Sequence, residues 1–299
     1  MASETIVSGD KPLWRKIVDF PLVTMLIAVA LFLLALAAAS AINKYLLPPI
    51  GGVAGTATRS LIAILLVLAA YKLAIVRLGE HPKDDLKLRD APKGLGLGLL
   101  AGFVIFSAVV GVAAILDVYN ISGYSGTSRL LLDLVTIAII PGFMEELLFR
   151  GILFRWIEQF AGSWVALLLT SALFGLAHIM NPNATWFSSF AIAVEAGVLL
   201  GGAYMLTRNL WVPMGLHAAW NFTQGFIFDV NVSGIEEHGL VEAHLSGPVL
   251  LSGGQFGLEA SVIALIIATA AGVAFVWVAV RKGELMQPMW TRNRAIAAD

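Results

Sequence analysis

The sequence contains no cysteine, and only 13% of its 299 residues are charged. Without cysteine there is no disulfide, no thiolate nucleophile and no cysteine-bound zinc. So little charge excludes an ordinary soluble surface, since soluble domains carry about 25% charged residues. The net charge of −1 gives no basic excess to attract nucleic acid, which is not expected as a partner. A His-Glu-x-x-His zinc-hydrolase signature is missing. So is a Gly-x-Ser-x-Gly nucleophile motif. No internal repeat is evident.

What the chain has instead is apolar length. It is 59% hydrophobic, with a mean hydropathy of +0.85. Such a chain cannot cover its surface with polar groups, so lipid must solvate much of it. A bilayer core of about 30 Å needs about 20 consecutive apolar residues in a helix. Runs of that length recur at 20–43, 57–79, 95–116, 129–156, 164–180, 187–206, 211–229 and 258–280. Lipid offers no partner to a free N–H or C=O, which leaves helices or a closed barrel, and unbroken rather than alternating runs decide for helices. The expected fold is therefore all-α: one polytopic membrane domain over 1–299, of about eight transmembrane helices enclosing a polar cavity. The first run, Phe20 to Ile42, follows a polar stretch with Lys11, Arg15 and Lys16. It exceeds the roughly 7–15 residues of a signal-peptide core and reads as a retained span. Turn residues mark the loops at Pro48-Pro49 with Gly51-Gly52, at His81-Pro82, from Asn120 to Gly126, and at Asn181-Pro182-Asn183.

The basic residues set an orientation. With eight spans and the N-terminus inside, only Lys44, Arg59 and Arg129 of the 19 Lys and Arg fall outside. Both termini are thus expected in the cytoplasm, and in a bacterial host the membrane would be the plasma membrane. The long outer loop 230–257 carries Glu236, Glu237 and Glu242 and no Lys or Arg. Gly94, Gly98 and Gly102, and again Gly197 and Gly201, recur every fourth residue, a spacing that lets helix backbones approach closely.

Against this apolar background three polar clusters stand out, because an ionisable group at the bilayer centre costs roughly 3 kcal/mol or more. In Glu145-Glu146-Leu147-Leu148-Phe149-Arg150, Glu146 and Arg150 lie four apart, acid first, the favourable order for a helical ion pair. Glu145 points about 100° away and has no local partner. Phe174-Gly175-Leu176-Ala177-His178 ends one span. His217-Ala218-Ala219-Trp220-Asn221 places an imidazole and an amide on one helix face. A turn at Ala161-Gly162-Ser163 makes the first two spans a hairpin in which Glu145 and His178 come level. The basic residues at that turn predict a site opening toward the cytoplasm or inner leaflet.

Glu-Glu-x-x-x-Arg, Phe-x-x-x-His and His-x-x-x-Asn, in this order on separate spans, resemble the motifs of the CAAX-protease and bacteriocin-processing family of intramembrane metalloproteases. That family includes the type II CAAX prenyl endopeptidase. The matching region is about 130–225, the expected catalytic core. The resemblance implies peptide-bond hydrolysis in a membrane-associated substrate, CAAX-like or a leader peptide, with membrane lipids and that peptide or protein as partners. It implies Glu145 as the base that activates water, and His178, His217 and Asn221 as metal ligands or oxyanion donors, with Glu146 and Arg150 in support. A divalent metal such as zinc would take His178 and His217, with Glu145 or Asn221. A metal-free mechanism is equally compatible with the residues. Two other readings fit buried Glu, His and Arg: a proton-coupled transporter, and a non-catalytic immunity or scaffold protein on the same fold.

Overall fold

The computed structural model describes residues 11–79 and 83–298. The polar stretch before Lys11 and the His81-Pro82 turn lie outside the described residues. A short helix α1 (Leu13–Asp19) leads into α2 (Pro21–Tyr45), whose first residue is a proline that gives up no intrahelical bond there. Helix α3 (Gly52–Arg77) returns antiparallel to it, and α4 (Ala91–Ile115) follows. A composite helix α5 runs from Leu130–Asp133 through Ile140–Glu146 to Arg155–Ala161, with π-helical turns at Leu134–Ile139 and Leu147–Phe154. Gly162, at φ +85°, turns the chain into α6 (Ser163–Ala177). There a Cβ would stand 2.9 Å from the Met286 carbonyl oxygen. Helix α7 (Trp186–Thr207) opens on a reciprocal cap: Ser188 N–H donates to Thr185 Oγ1 (3.0 Å) and Thr185 N–H to Ser188 Oγ (2.8 Å). Helix α8 (Trp211–Phe222) continues as π turns at Thr223–Ile227. After α9 (Val249–Ser252) come α10 (Val262–Arg281) and α11 (Met289–Ala298).

Six of these helices are long and apolar enough to cross a membrane: α2, α3, α4, α6, α7 and α10. The expected spans 129–156 and 211–229 correspond to α5 and α8, the two interrupted by π turns and carrying two of the three polar motifs. The last expected span begins late: 258–260 is a separate 3-10 turn before α10. The stretch from Asn120 to Gly126, expected as a turn, is mostly strand. Strand β1 (Tyr119–Tyr124) pairs antiparallel with β2 (Val241–Leu245) from the acidic outer loop, with an irregularity between Ile121 and Gly123. The pairing partner lies more than a hundred residues away, so local turn propensity could not reveal it.

The glycine stripes do the packing their spacing suggested. A Cβ at Gly98 would lie 2.2 Å from the Val212 carbonyl oxygen, and one at Gly102 2.3 Å from that of Leu216. Helix α4 therefore seats α8 backbone to backbone. Gly197 similarly admits Ser171, which brings α6 against α7. Polar contacts then tie the two ends of the bundle. At one end Asp85 takes Arg155 (2.9 Å) and the Tyr204 hydroxyl (2.8 Å), while Glu158 takes both Arg208 and the Ser163 hydroxyl. At the other, Asn181 and Asn183 donate to the Ser233 and Gly234 carbonyls, each at 3.1 Å. Successive connections fall at alternate ends of the bundle.

Candidate active site

The site starts from an ion pair that the i,i+4 spacing dictates. Arg150 Nη1 donates to Glu146 Oε1 at 2.7 Å, and both side chains are almost wholly buried. The same oxygen accepts from His217 Nδ1 of α8 at 2.9 Å. Arg150 Nη2 reaches the Ala196 carbonyl of α7 at 3.3 Å, and the guanidinium carbon lies 4.8 Å from the centre of the Phe174 ring of α6. One Glu–Arg pair thus connects four helices, α5 to α8. Phe174 also packs edge-on against Phe149, with ring centres 4.9 Å apart. Contacts of 149 and 150 with 174 follow the hairpin register about the 161–163 turn.

His178 follows the last residue of α6, and its Nδ1 donates to the Phe174 carbonyl at 2.7 Å. A carbonyl and a carboxylate can only accept, so in both His178 and His217 the proton sits on Nδ1. In the neutral imidazole each ring keeps Nε2 as a lone-pair acceptor. Asn221 has a structural bond of its own. Pro141 has no N–H and gives no α-type bond back to the Ile137 carbonyl, which lies in the π turn Leu134–Ile139. Asn221 Nδ2 supplies one at 2.9 Å. Glu145 is half-buried, and its Oε2 is buried with no hydrogen-bond partner.

His178, His217 and Asn221 line one cavity of about 20 Å³, together with Phe174, Glu195 and Glu259. That is room for about one water molecule. Glu145 is not among the lining residues; it stands beside Glu146, whose carboxylate orients His217. Ser233 also lines the cavity, so it lies toward the end of the bundle that carries the acidic loop, not under the basic turns as expected. The reason is the shortness of α6: its 15 residues bring His178 to the far end.

Two of these acidic residues escaped the sequence reading. Glu195 is in the middle of α7, fully buried, and neither carboxylate oxygen has a partner. The cost of an ionisable group inside a span was the signal that marked the other clusters, and it applied to Glu195 equally. Glu259, just before α10, accepts from the Ser233 N–H, and burial pushes its carboxyl up to about 7.

The donor set does not fit a catalytic zinc, one of the two alternatives that the sequence leaves open. Such a site takes three protein ligands and an open position. Among the described residues no three His, Asp or Glu side chains converge to hold a metal. Glu146 Oε1 is already committed to Arg150 and His217. The orientation of each imidazole through Nδ1 resembles that of metal-bound histidine, but two imidazoles fall short of the set.

Residues 127–223 match the family described as Rce1-like, type II CAAX prenyl endopeptidase. Over 172 residues the chain is 23% identical to the protein named "Putative membrane peptidase YdiL" of Bacillus subtilis (strain 168), a match that covers 53% of this chain and 68% of that one. No solved structure matches significantly. The family match spans all three polar motifs and overlaps the expected core over residues 130–223.

Proposed function

We propose that this chain, whose residues 127–223 match the Rce1-like family and which is similar to the protein named "Putative membrane peptidase YdiL", is an intramembrane endopeptidase. It hydrolyses a peptide bond in a membrane-associated substrate, CAAX-like or a leader peptide, with Glu145 activating water. The observation that carries this reading is the shared cavity of His178, His217 and Asn221, one of whose imidazoles is held by the buried Glu146–Arg150 pair. Hydrolysis needs a base near its proton and donors aimed at the developing oxyanion. Glu145 has a free oxygen beside that pair.

In the reaction the water oxygen bonds to the carbonyl carbon while Glu145 takes one water proton. The oxyanion faces the second amide hydrogen of Asn221, while Glu146 holds the His217 ring in place through Nδ1. The C–N bond breaks as Glu145 returns the proton to the leaving amine. The chain's own groups supply every step. The Lys and Arg distribution supports cytoplasmic termini in this proposal, which places the cavity toward the opposite face.

The test compares membranes of cells carrying wild-type protein with those carrying Glu145→Gln. Glutamine keeps the shape and removes the base, and losing a general base costs typically 10²–10⁴-fold. Peptide termini should form with wild type and their precursors accumulate with the variant. Identical terminal peptide profiles, with both proteins folded and inserted, would refute the protease reading.

A further inference from the structure

We propose that Glu195 is a further catalytic residue: its carboxyl holds the hydrolytic water in the cavity formed by His178, His217 and Asn221. This rests on the hydrolase reading above. Three observations meet at this residue. First, Glu195 is fully buried and both its carboxylate oxygens lack a protein partner. Buried polar groups are nearly always hydrogen-bonded, so a carboxyl left bare by the protein calls for a partner that the protein does not supply. Second, Glu195 lines the cavity that contains both motif histidines and Asn221, whereas Glu145 does not. Third, that cavity has room for about one water, which needs two to four polar partners. Glu195, Glu259, the two imidazoles and the Asn221 amide offer them.

The position of Glu195 is built as firmly as that of the motif residues. Arg150, locked to Glu146, donates to the carbonyl of the next residue, Ala196. The glutamate–arginine motif therefore fixes the height and rotation of α7 at the point where Glu195 projects. Gly197, two residues on, is pressed against Ser171 of α6, which leaves the helix no freedom to slide. Glu259 enters the cavity from the chain just before α10, its Oε1 held by the Ser233 N–H.

In the proposed step the water donates one hydrogen bond to Glu195, which aims an oxygen lone pair at the scissile carbonyl carbon. The other water proton is relayed through the Nε2 lone pair of a cavity-lining imidazole to Glu145 as the C–O bond forms, and it returns by the same route to the amine as the C–N bond breaks. The proton that faced Glu195 stays on the new carboxyl until it ionises in water. Glu195 itself ends unchanged.

Glu195→Leu separates this role from a structural one. Leucine fills a similar volume and removes a bare buried carboxyl, so the variant should be at least as thermostable as wild type. In proteoliposomes, with a quenched fluorescent peptide ending in a farnesylated CAAX sequence, its kcat should fall on the order of 100-fold. KM should stay within about threefold. Glu195→Gln, which keeps an accepting oxygen, should recover a large part of the rate. If Glu145→Gln abolishes cleavage and Glu195→Leu turns over at the wild-type rate, this inference fails and the protease reading stands. If neither substitution changes cleavage, both fail. An experimental structure that resolves ordered water provides a check free of any substrate. A water within about 3 Å of the Glu195 carboxyl is expected, and a dry carboxyl would overturn the proposal.

Discussion

Breaking the Glu146–Arg150 pair from either side should give unequal losses, and the inequality follows from the partners each group keeps. Both side chains are at most 1% exposed, so removing one partner of the buried pair should cost roughly 3–5 kcal/mol. In Arg150→Met the carboxylate still has His217 at 2.9 Å, which can take up a proton and restore a counter-charge. In Glu146→Gln the guanidinium keeps the carbonyls of Ala196 and Gly197 and the face of Phe174 as direct contacts, none of which carries a formal charge, and the more distant Glu145. Glu146→Gln should therefore lie at the upper end of the range and Arg150→Met at the lower. The double variant should lose less than the two singles added, by on the order of 2 kcal/mol, the scale of coupling between residues in one network. Thermal unfolding in detergent, followed by intrinsic tryptophan fluorescence, reads this out. At about 2–4 °C per kcal/mol, the Glu146→Gln shift should be about 10–20 °C. Strict additivity, or a larger loss for Arg150→Met, would refute the assignment of the network.

Three further outcomes follow from the contacts. Asn221→Ala leaves the Ile137 carbonyl bare beside Pro141 and should cost about 1–3 kcal/mol of stability, measured by the same unfolding assay; an unchanged midpoint would count against the bond. Gly102→Val puts a branched side chain where a Cβ already lies 2.3 Å from the Leu216 carbonyl and should abolish the folded protein, while Gly111→Ala on the same helix meets open space and should be tolerated; size-exclusion profiles after extraction distinguish the two. Glu237 in the outer loop is buried near Asp133, which together raise its carboxyl to about 7 despite Arg129 at 3.7 Å. A carboxyl raised on folding favours the folded loop at low pH and loses that contribution as pH climbs from about 4.5 through 7. Proteolysis of the 230–245 segment should then speed up with rising pH, and Glu237→Gln should flatten that dependence.

Apolar run length made the spans legible in the sequence, and the fourfold glycine spacing announced which helices approach closely. The Glu146–Arg150 pair was legible because i,i+4 neighbours meet on any helix. What composition could not convey was the π-helical turns of α5 and α8. They change which donor serves which carbonyl without a change in residue type, and no hydropathy window registers that. Strand β1 was hidden for a related reason: Asn120, Ser122 and Gly123 favour turns locally, and only the distant β2 makes them a strand. The cavity-side position of Glu195 was hidden by attention to motifs. Its presence in an apolar run was visible, but its lack of a partner is a three-dimensional fact.

The bond between Asn221 and the Ile137 carbonyl also orders biosynthesis. The two residues are 84 apart in the chain. At a synthesis rate of about 5–20 residues per second, roughly 4–17 s pass between their emergence from the ribosome. During that interval the Ile137 carbonyl lacks the side-chain donor that the folded protein gives it. It can be satisfied only provisionally, by water or by neighbours that must later yield. A nascent chain stalled before residue 221 would therefore present an unfinished helix to membrane quality control.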